Sequence, residues 1–201
     1  MGSPVISFIV AAHSRPMALM CCLASLCQQT RPDWEAIVVD NAEQDAISDQ
    51  HQDICVMDPR IRYMRTTEQT LVAGAIHGRS LYVAAEIGVA SSSGEWICFP
   101  NDDSYYCPWF AERMLRATDI HRWDLVYCDL VAGGRQGHWL LQASPRLCCI
   151  DKTNFVMRRE WFKGFNHDPE HYPQADGMLI EDLVRRGIAH GRMSEILVVH
   201  N

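Results

Sequence analysis

Two apolar runs near the start of the chain constrain its fold more than any other feature. The segments "VISFIVAA" (residues 5–12) and "EAIVVD" (residues 35–40) are continuous and rich in β-branched residues. Such runs are typical of strands that are covered on both faces, as in a parallel sheet with helices on each side. The stretch between them predicts a helix, with Ser14 as its N-cap and Pro16 in its first turn. The buried face of this helix would be formed by Leu19, Cys22, Leu23 and Leu26.

The alternation of strands and helices continues along the chain. Further strands are predicted at "IRYMR", "EWICFP", "DLVYCD", "LCCIDKTNFVMRR" and "EILVVH", and helices over residues 71–90, 108–118 and 176–186. This order indicates an α/β protein with a central, mainly parallel sheet that is flanked by helices. No repeat, low-complexity tract or linker interrupts the sequence, so a single domain over residues 1–201 is predicted.

Composition excludes several classes of protein. The formal net charge of −7 argues against a nucleic-acid partner, which would require a basic face. Nine cysteines occur without any C-x-x-C pair, which disfavours a zinc site and indicates a reducing, cytoplasmic setting. No apolar run approaches the roughly 20 residues of a membrane span, so no transmembrane segment is predicted. Peripheral contact with the inner face of the membrane stays open.

Polar residues stand where three of the predicted strands end. The first strand leads into residues 11–13, the second ends at Asp40 and Asn41, and "EWICFP" runs into residues 101–103. Ligands bind outside the carboxyl ends of the strands in an open parallel sheet, so these groups are expected to converge on one cleft. The alternative is that each strand end carries only turn residues. The adjacent carboxylates Asp102 and Asp103 require positive charge, from an arginine, from solvent or from a metal.

The loop after the first strand lacks the glycines of the common phosphate-binding motifs. It reads "AAHSRP", which is neither a dinucleotide-binding G-x-G-x-x-G nor a Walker P-loop. A diphosphate would therefore need another counter-charge. A divalent cation held by carboxylates would supply one.

Four segments, in the expected order, resemble the GT-A glycosyltransferases, and among them most closely family 2. They are "VISFIVAAHSRP", "LASLCQQTRPDWEAIVVDN", "IGVASSSGEWICFPNDDSYY" and "DKTNFVMRREWFKGF", and the likeness covers roughly residues 5–187. The resemblance implies a GT-A fold with a mixed, mainly parallel sheet. It also implies a nucleotide-sugar-binding half over about residues 1–103 and an acceptor-binding half over about residues 104–201.

The resemblance implies roles for residues of the first half. Asp40 would accept a hydrogen bond from the nucleotide base. Arg15 would lie near the diphosphate or tether its own loop, and Asn101 would face the ribose or the metal shell. The implied nucleotide-binding set is Ala11, Ala12, His13, Arg15, Asp40, Asn101 and Asp102.

A cation follows from the same resemblance. Asp103 would be the principal ligand of Mn²⁺ or Mg²⁺, and His200 at the end of the last strand would complete the metal shell. The sequence departs from the family pattern at Asn101, which replaces an aspartate, and at Glu86, where an asparagine is usual. His13 and Ser14 also stand where the family prefers Tyr-Asn.

An inverting transfer needs a general base, and the family places it at the start of a late helix. Counting back from Arg186 and Gly187 puts Asp176 at this position. Glu181 and Asp182 form the literal Glu-Asp pair and are the second candidates, although their spacing suits surface ion pairs with the following arginines. The absence of a base among the three is the remaining alternative.

The sequence thus predicts a metal-dependent glycosyltransferase of polysaccharide biosynthesis. It would move a sugar from a nucleotide donor, a UDP-sugar, onto a saccharide or lipid-linked acceptor with inversion. A retaining GT-A enzyme and a non-catalytic nucleotide- or partner-binding module are the alternatives. Because the chain ends at Asn201, a second subunit of a homo-oligomer is a further expectation for completing the acceptor site. The segment of residues 165–176 is expected to cover the acceptor side as a loop.

Overall fold

The computed structural model describes residues 3–66, 78–134, 137–167 and 174–201. In this part of the chain, one mixed sheet runs through the molecule in the strand order β3-β2-β1-β4-β8-β6-β9-β5, and β7 pairs with β6. The strands are β1 (Ile6–Ala12), β2 (Trp34–Asp40), β3 (Ile61–Arg65), β4 (Trp96–Cys98), β5 (Ser104–Tyr106), β6 (Leu125–Gly134), β7 (Gly137–Leu141), β8 (Phe155–Arg158) and β9 (His190–His200). The helices are α1 (Pro16–Cys27), α2 (Asp45–Cys55), α3 (Gly78–Ser91), α4 (Phe110–His121) and α5 (Ala175–Arg185).

The first half of the sheet is parallel. β1 pairs in parallel with β2 and with β4, and β2 pairs in parallel with β3. Every residue of β1 and β2 is buried, because residues pointing to either face meet helices. Helix α3 approaches β1 so closely that a Cβ on Gly88 would lie 2.3 Å from Ile9 Cγ2. The two continuous apolar runs therefore form the two-sided core strands that their sequence predicts.

Two hydrophobic cores lie on opposite faces of the sheet. Phe8 and Val10 point to the face covered by α1 and α4, where Leu23 and Phe110 are fully buried. Ile9 points to the opposite face, which is covered by α3 and α5. The alternation along β1 follows from the two-residue period of a strand.

The second half of the sheet is mostly antiparallel. β8 lies between β4 and β6 and pairs with both in antiparallel orientation. β6 and β9 are parallel, and β9 pairs in antiparallel orientation with β5. The last pairing sets Ser104 opposite His200, which brings the end of the chain next to Asp103.

Most predicted elements are confirmed, with a few corrections. Ser14 is not the N-cap of α1: Arg15 occupies that position without a side-chain capping bond, and Pro16 is the first helical residue. The predicted strand over residues 147–159 is a strand only at β8 (Phe155–Arg158), because Lys152–Asn154 form a 3₁₀ turn. The sequence did not reveal α2, β5 or β7. The predicted helix over residues 71–90 is confirmed from Gly78 onward, and residues 71–77 lie outside the described part. So do residues 168–173 of the predicted acceptor-side loop.

No helix in the described ranges is long and apolar enough to cross a membrane. The nine cysteines are free thiols.

Candidate active site

The three strand ends lie side by side. Ala12 pairs with Asp40 across β1 and β2, and Ala11 forms a parallel bridge with Asn101 beyond the end of β4. The backbone N–H of Asn41 donates to the carbonyl of Ala12 at 2.9 Å. Ala11 and Ala12 are buried and have no polar side-chain group, so any hydrogen bond to a ligand would come from their backbone. The polar groups of three distant segments thus converge at one edge of the sheet.

Arg15 supplies the positive charge that the adjacent carboxylates require. Its Nη2 donates to Asp102 Oδ1 and its Nη1 donates to Asp103 Oδ2. The carboxylates are almost fully buried, whereas the Arg15 side chain is 50% exposed. The backbone N–H of His13 also approaches Asp102 Oδ2, at 3.4 Å. The loop between β1 and α1 therefore covers both aspartates with one solvent-facing guanidinium.

Asp103 also faces the end of the chain. Its Oδ1 lies 3.3 Å from His200 Nδ1, and Ser104 Oγ lies 3.3 Å from the same nitrogen. Burial raises the pKa of the Asp103 carboxyl, but His200 and Arg15 outweigh burial and hold that pKa below its usual range. Burial lowers the pKa of His200, yet the neighbouring carboxylate raises it above its ordinary value. The two residues therefore favour an ion pair.

Asp102 differs from Asp103 in its electrostatics. Burial is the largest influence on its carboxyl and raises its pKa above the ordinary value, although Arg15 opposes this shift. Asp103 likewise raises it, since two like charges are adjacent. Additional positive charge at this place would therefore relieve an existing electrostatic cost.

The residues at Asp103 fit a hard divalent cation. Asp103 Oδ1 is buried, and its 3.3 Å contact with His200 Nδ1 is an ion pair without hydrogen-bond geometry, so this oxygen keeps capacity to bind a cation. Carboxylate oxygens and an imidazole nitrogen are suitable ligands for Mn²⁺. Within the described ranges, no group of three or more histidine, cysteine, aspartate or glutamate side chains forms a ready metal cluster. Asp103 and His200 would hold such an ion only together with ligands from elsewhere, such as the oxygens of a bound diphosphate.

Asp40 is buried, and both of its carboxylate oxygens have hydrogen-bond partners. Its Oδ1 accepts from the backbone N–H of Ala42 at 2.8 Å and lies 3.0 Å from His51 Nδ1, while Oδ2 accepts from Tyr63 Oη at 2.8 Å. Burial raises the pKa of the Asp40 carboxyl, but these donors outweigh burial and lower the pKa to about 2. The carboxylate is fully inaccessible. The oxygens that the sequence assigned to a nucleotide base already have partners within the protein.

Asn41 was noted in the sequence only as a polar strand-end residue and was not included in the implied nucleotide-binding set. Only 4% of the residue is exposed, and both its Oδ1 and its Nδ2 have no hydrogen-bond partner in the described structure. A buried carboxamide without partners costs free energy unless a ligand satisfies it. The signal in the sequence was only its place after Asp40 at a strand end.

Asp176 lies at the start of α5 and has a perturbed pKa. The backbone N–H of Lys152 donates to its Oδ2 at 3.0 Å and that of Gly177 donates to its Oδ1 at 2.8 Å. Burial and the neighbouring Asp151 raise the pKa of the Asp176 carboxyl to about 6. A carboxylate with this pKa can hold or accept a proton near neutral pH, as a general base requires.

Glu181 and Asp182 make contacts of other kinds. Glu181 Oε1 accepts from the backbone N–H of Leu147 at 2.8 Å. Asp182 pairs with Arg185 and Arg186 on the surface of α5, at 3.0 and 3.3 Å. These are the i+3 and i+4 ion pairs that the spacing suggested, and Asp176 is the better placed candidate base.

Space for a ligand opens beside the aspartates. A cleft of about 490 Å³ borders Asp103 and Tyr105 between α1 and the β5–β9 pair. A larger cavity of about 600 Å³ lies at the opposite edge of the sheet, around Trp34 and Arg60. Because that cavity is bordered by the beginnings of β2 and β3 rather than by strand ends, it is not part of the candidate site.

Comparisons with known proteins identify the family and the fold of this chain. The family model described as "Glycosyl transferase family 2" matches residues 7–174. The Bacillus subtilis (strain 168) protein EpsH, which carries a provisional glycosyltransferase name, is 30% identical over 132 residues, or 66% of this chain and 35% of its own length.

Solved structures share the fold. The crystal structure of Staphylococcus aureus TarS (residues 1–349) in complex with UDP superposes with a TM-score of 0.72 at 14% identity, covering 96% of this chain and 59% of TarS. The mannosyltransferase PcManGT of Pyrobaculum calidifontis, in complex with GDP-Man and Mn²⁺, gives 0.75 at 14% identity, covering 100% and 57%. The predicted GT-A fold is thereby confirmed. The chain spans between about a third and three fifths of the length of these relatives.

Proposed function

The chain belongs to glycosyltransferase family 2, and from that premise we propose that it transfers a sugar from a nucleotide donor to an acceptor hydroxyl. The observation that carries this proposal is the convergence of Asp102, Asp103, Arg15 and His200 outside the strand ends. A buried acidic cluster beside the half-exposed guanidinium of Arg15 suits a nucleoside diphosphate and its metal ion. We further propose a UDP-sugar as the donor, a saccharide or lipid-linked acceptor, and inversion at the anomeric carbon.

Asp176 is proposed as the general base. Its carboxylate takes the proton of the acceptor hydroxyl while the hydroxyl oxygen forms the new bond to the anomeric carbon. The bond between that carbon and the diphosphate breaks in the same displacement, and its electron pair stays on the diphosphate oxygen. With a pKa of about 6, Asp176 is ionised at neutral pH and is more basic than an ordinary aspartate.

Asp103 and His200 are proposed to hold Mn²⁺ or Mg²⁺. The bound ion supplies a Lewis acid that stabilises negative charge on the leaving diphosphate. Arg15 is placed to serve the same diphosphate, because its guanidinium is half exposed and can pair with phosphate oxygens in two-pronged geometry. The complex of PcManGT with GDP-Man and Mn²⁺ supports a donor–metal pairing in this fold.

The nucleotide is proposed to lie along the ends of β1 and β2. The backbones of Ala11, Ala12 and His13 border this place, and Asn101 and Asp102 adjoin it. The side-chain amide of Asn41 has no hydrogen-bond partner in the described structure. Its Nδ2 can therefore donate to a base, and its Oδ1 can accept from one. Asp40 orders the turn that presents Asn41 and contacts the base only if its present partners rearrange.

A non-catalytic nucleotide-binding module is the second candidate function, because Asn101 stands where the family carries an aspartate. A retaining transferase is favoured only if Asp176 proves dispensable. The cytoplasmic location, peripheral membrane contact and homo-oligomer remain predictions, of which the first is supported by the nine free thiols.

Release of nucleoside diphosphate from donors tests the proposal. The wild-type protein is incubated with UDP-, GDP- and dTDP-sugars and Mn²⁺, and the free diphosphate is measured with a coupled assay. Slow hydrolysis of one donor class, lost in Asp176→Asn but kept in Asp182→Asn, is expected. Binding of a nucleotide without any turnover would establish the module instead, and hydrolysis that Asp176→Asn leaves unchanged would favour the retaining enzyme.

A further inference from the structure

One buried cation is not used by the mechanism above. Lys152 is 5% exposed, and its Nζ has no hydrogen-bond partner in the described ranges. Burying an ammonium without acceptors costs several kcal/mol, and a methionine of similar shape would avoid this cost. Such a residue needs an explanation other than packing.

The surroundings of Lys152 are strongly acidic. Its charge interacts with four carboxylates, which come from both halves of the chain: Asp151, Asp176, Asp102 and Asp103. In the described part of the chain, this charge also acts on His200, Cys22 and Cys98. The backbone N–H of Lys152 contacts the candidate base directly, donating to Asp176 Oδ2 at 3.0 Å, and the charge of its buried side chain also reaches the paired aspartates of the donor site.

The turn that carries Lys152 is rigidly held. The residues 152–154 form a 3₁₀ turn, which Asp151 caps by accepting from the backbone N–H of Thr153 at 2.9 Å. Tyr106 Oη donates to the carbonyl of Thr153 at 2.9 Å, and Asn154 Nδ2 donates to that of Cys128 at 2.7 Å. The backbone turn that carries Lys152 is thus fixed by hydrogen bonds to the core, whereas Arg15 is half exposed.

We propose that Lys152 is a positioning residue, whose buried ammonium acts as the permanent internal counter-ion of the site. It allows four carboxylates to remain ionised close together, and so keeps Asp176 available as a base while leaving Asp103 free to take a divalent cation. This proposal rests on the proposed function. Burial lowers the pKa of Lys152 below its ordinary value, and the surrounding carboxylates oppose this shift without outweighing it.

The sequence offers a matched control, because Lys152 and the exposed Lys163 are its two lysines. Mn²⁺ binding is measured by electron paramagnetic resonance without nucleotide, and UDP binding by calorimetry without metal. Lys152→Met is expected to tighten Mn²⁺ binding by about tenfold and to weaken UDP binding by a similar factor, while Lys152→Arg and Lys163→Met change neither by more than about twofold. Opposite signs report a charge, since damaged folding would weaken both.

A second measurement separates this proposal from the proposed function. In protein labelled with ¹³C,¹⁵N-lysine, the two side-chain signals give the pKa of each lysine by nuclear magnetic resonance. Asp151→Asn, which keeps an oxygen to cap the turn, should lower the pKa of Lys152 and leave that of Lys163 unchanged. If the wild type binds no UDP, the proposed function fails, and this titration still decides the role of Lys152. The inference would be overturned if the pKa of Lys152 were unchanged in Asp151→Asn. It would also be overturned if Lys152→Met lowered the affinities for both Mn²⁺ and UDP.

Discussion

The β1–α1 loop and the 152–154 turn each bring one cation to the same group of aspartates, but they hold it differently. Arg15 is half exposed and contacts Asp102 and Asp103 directly. Lys152 is buried, makes no hydrogen bond through Nζ in the described structure, and belongs to a turn fixed by Tyr106 and Asn154. The exposed cation can exchange with a ligand, whereas the buried one stays. We therefore expect the proposed donor side to rearrange on binding and the proposed acceptor side to be preorganised.

The difference between the two sides predicts which measurement each variant affects. Changes on the donor side should alter the affinity for nucleotide and metal. Loss of the candidate base Asp176 should alter turnover while nucleotide binding persists. Loss of the buried charge of Lys152 should alter the affinities for nucleotide and metal as well, because its charge reaches Asp102 and Asp103.

The largest effect is expected for Asp176→Asn. Removing a general base lowers kcat by about 10²–10⁴-fold, and the dissociation constant for UDP should stay within about twofold because Asp176 is placed on the acceptor side. Single-turnover kinetics and calorimetry measure the two quantities. The exposed Asp182→Asn serves as the control. Equal losses of binding and turnover in Asp176→Asn would erase the distinction between the two sides.

Arg15→Gln should instead change the affinities for nucleotide and metal. Loss of charge-assisted bonds to a diphosphate is expected to weaken UDP binding by about 10–100-fold, while Mn²⁺ binds more tightly without nucleotide because a competing cation is gone. Arg31→Gln removes an equivalent arginine–aspartate pair, with Asp33, away from the cleft, and should change neither affinity. Weaker Mn²⁺ binding in Arg15→Gln would show that Arg15 supports the metal instead of competing with it.

Asp176 should also make stability depend on pH. Its pKa of about 6 in the folded protein lies above the ordinary value of 3.8, so the unfolded chain releases its proton first as pH rises. The free energy of unfolding should therefore fall between about pH 4 and pH 6 and remain lower above that range. The stability of Asp176→Asn relative to the wild type should therefore be greater at pH 7.5 than at pH 4 by roughly 1–3 kcal/mol, whatever constant cost the amide incurs by replacing one of the two acceptor oxygens. Urea titrations at the two pH values measure this difference, and a relative stability that is equal at both would contradict a raised pKa.

The smallest effect is expected for Asn41→Ala. A lost pair of neutral hydrogen bonds to the base should weaken UDP binding by about 2–10-fold, with no change in the binding of pyrophosphate, which has no base. Competition with a fluorescent nucleotide measures both ligands. A parallel loss for pyrophosphate would mean that the substitution disturbs the turn after β2 and not base recognition.

The sequence predicted the donor side better than the acceptor side. Continuous apolar runs identify β1 and β2, and their polar ends identify the cleft, because both signals are local. Helix α2 was missed because the residues that it buries are Ser48, His51 and Cys55, so its sequence shows no apolar stripe. β7 was missed because nearly all of its residues are exposed, which removes the alternation that marks a strand.

The electrostatics of the acceptor side depend on contacts between distant segments. Asp176 was selected by its position relative to Arg186, but its raised pKa follows from its burial and, second, from the charge of Asp151, while Lys152 opposes the shift. The burial of Lys152 and the pairing of Ser104 with His200 come from tertiary structure. Asp40 and Asn41 are adjacent in sequence, and only the structure shows that the first is satisfied internally and the second is not.

The central claim is that Asp103 holds a divalent cation against the diphosphate of a bound donor. Calorimetric titration of UDP into the wild type and Asp103→Asn, each with and without Mn²⁺, tests it most directly. The account predicts that Mn²⁺ strengthens UDP binding to the wild type by at least about tenfold and has no effect on the variant. Equal strengthening in both proteins, or UDP binding to the wild type that ignores Mn²⁺, would contradict it.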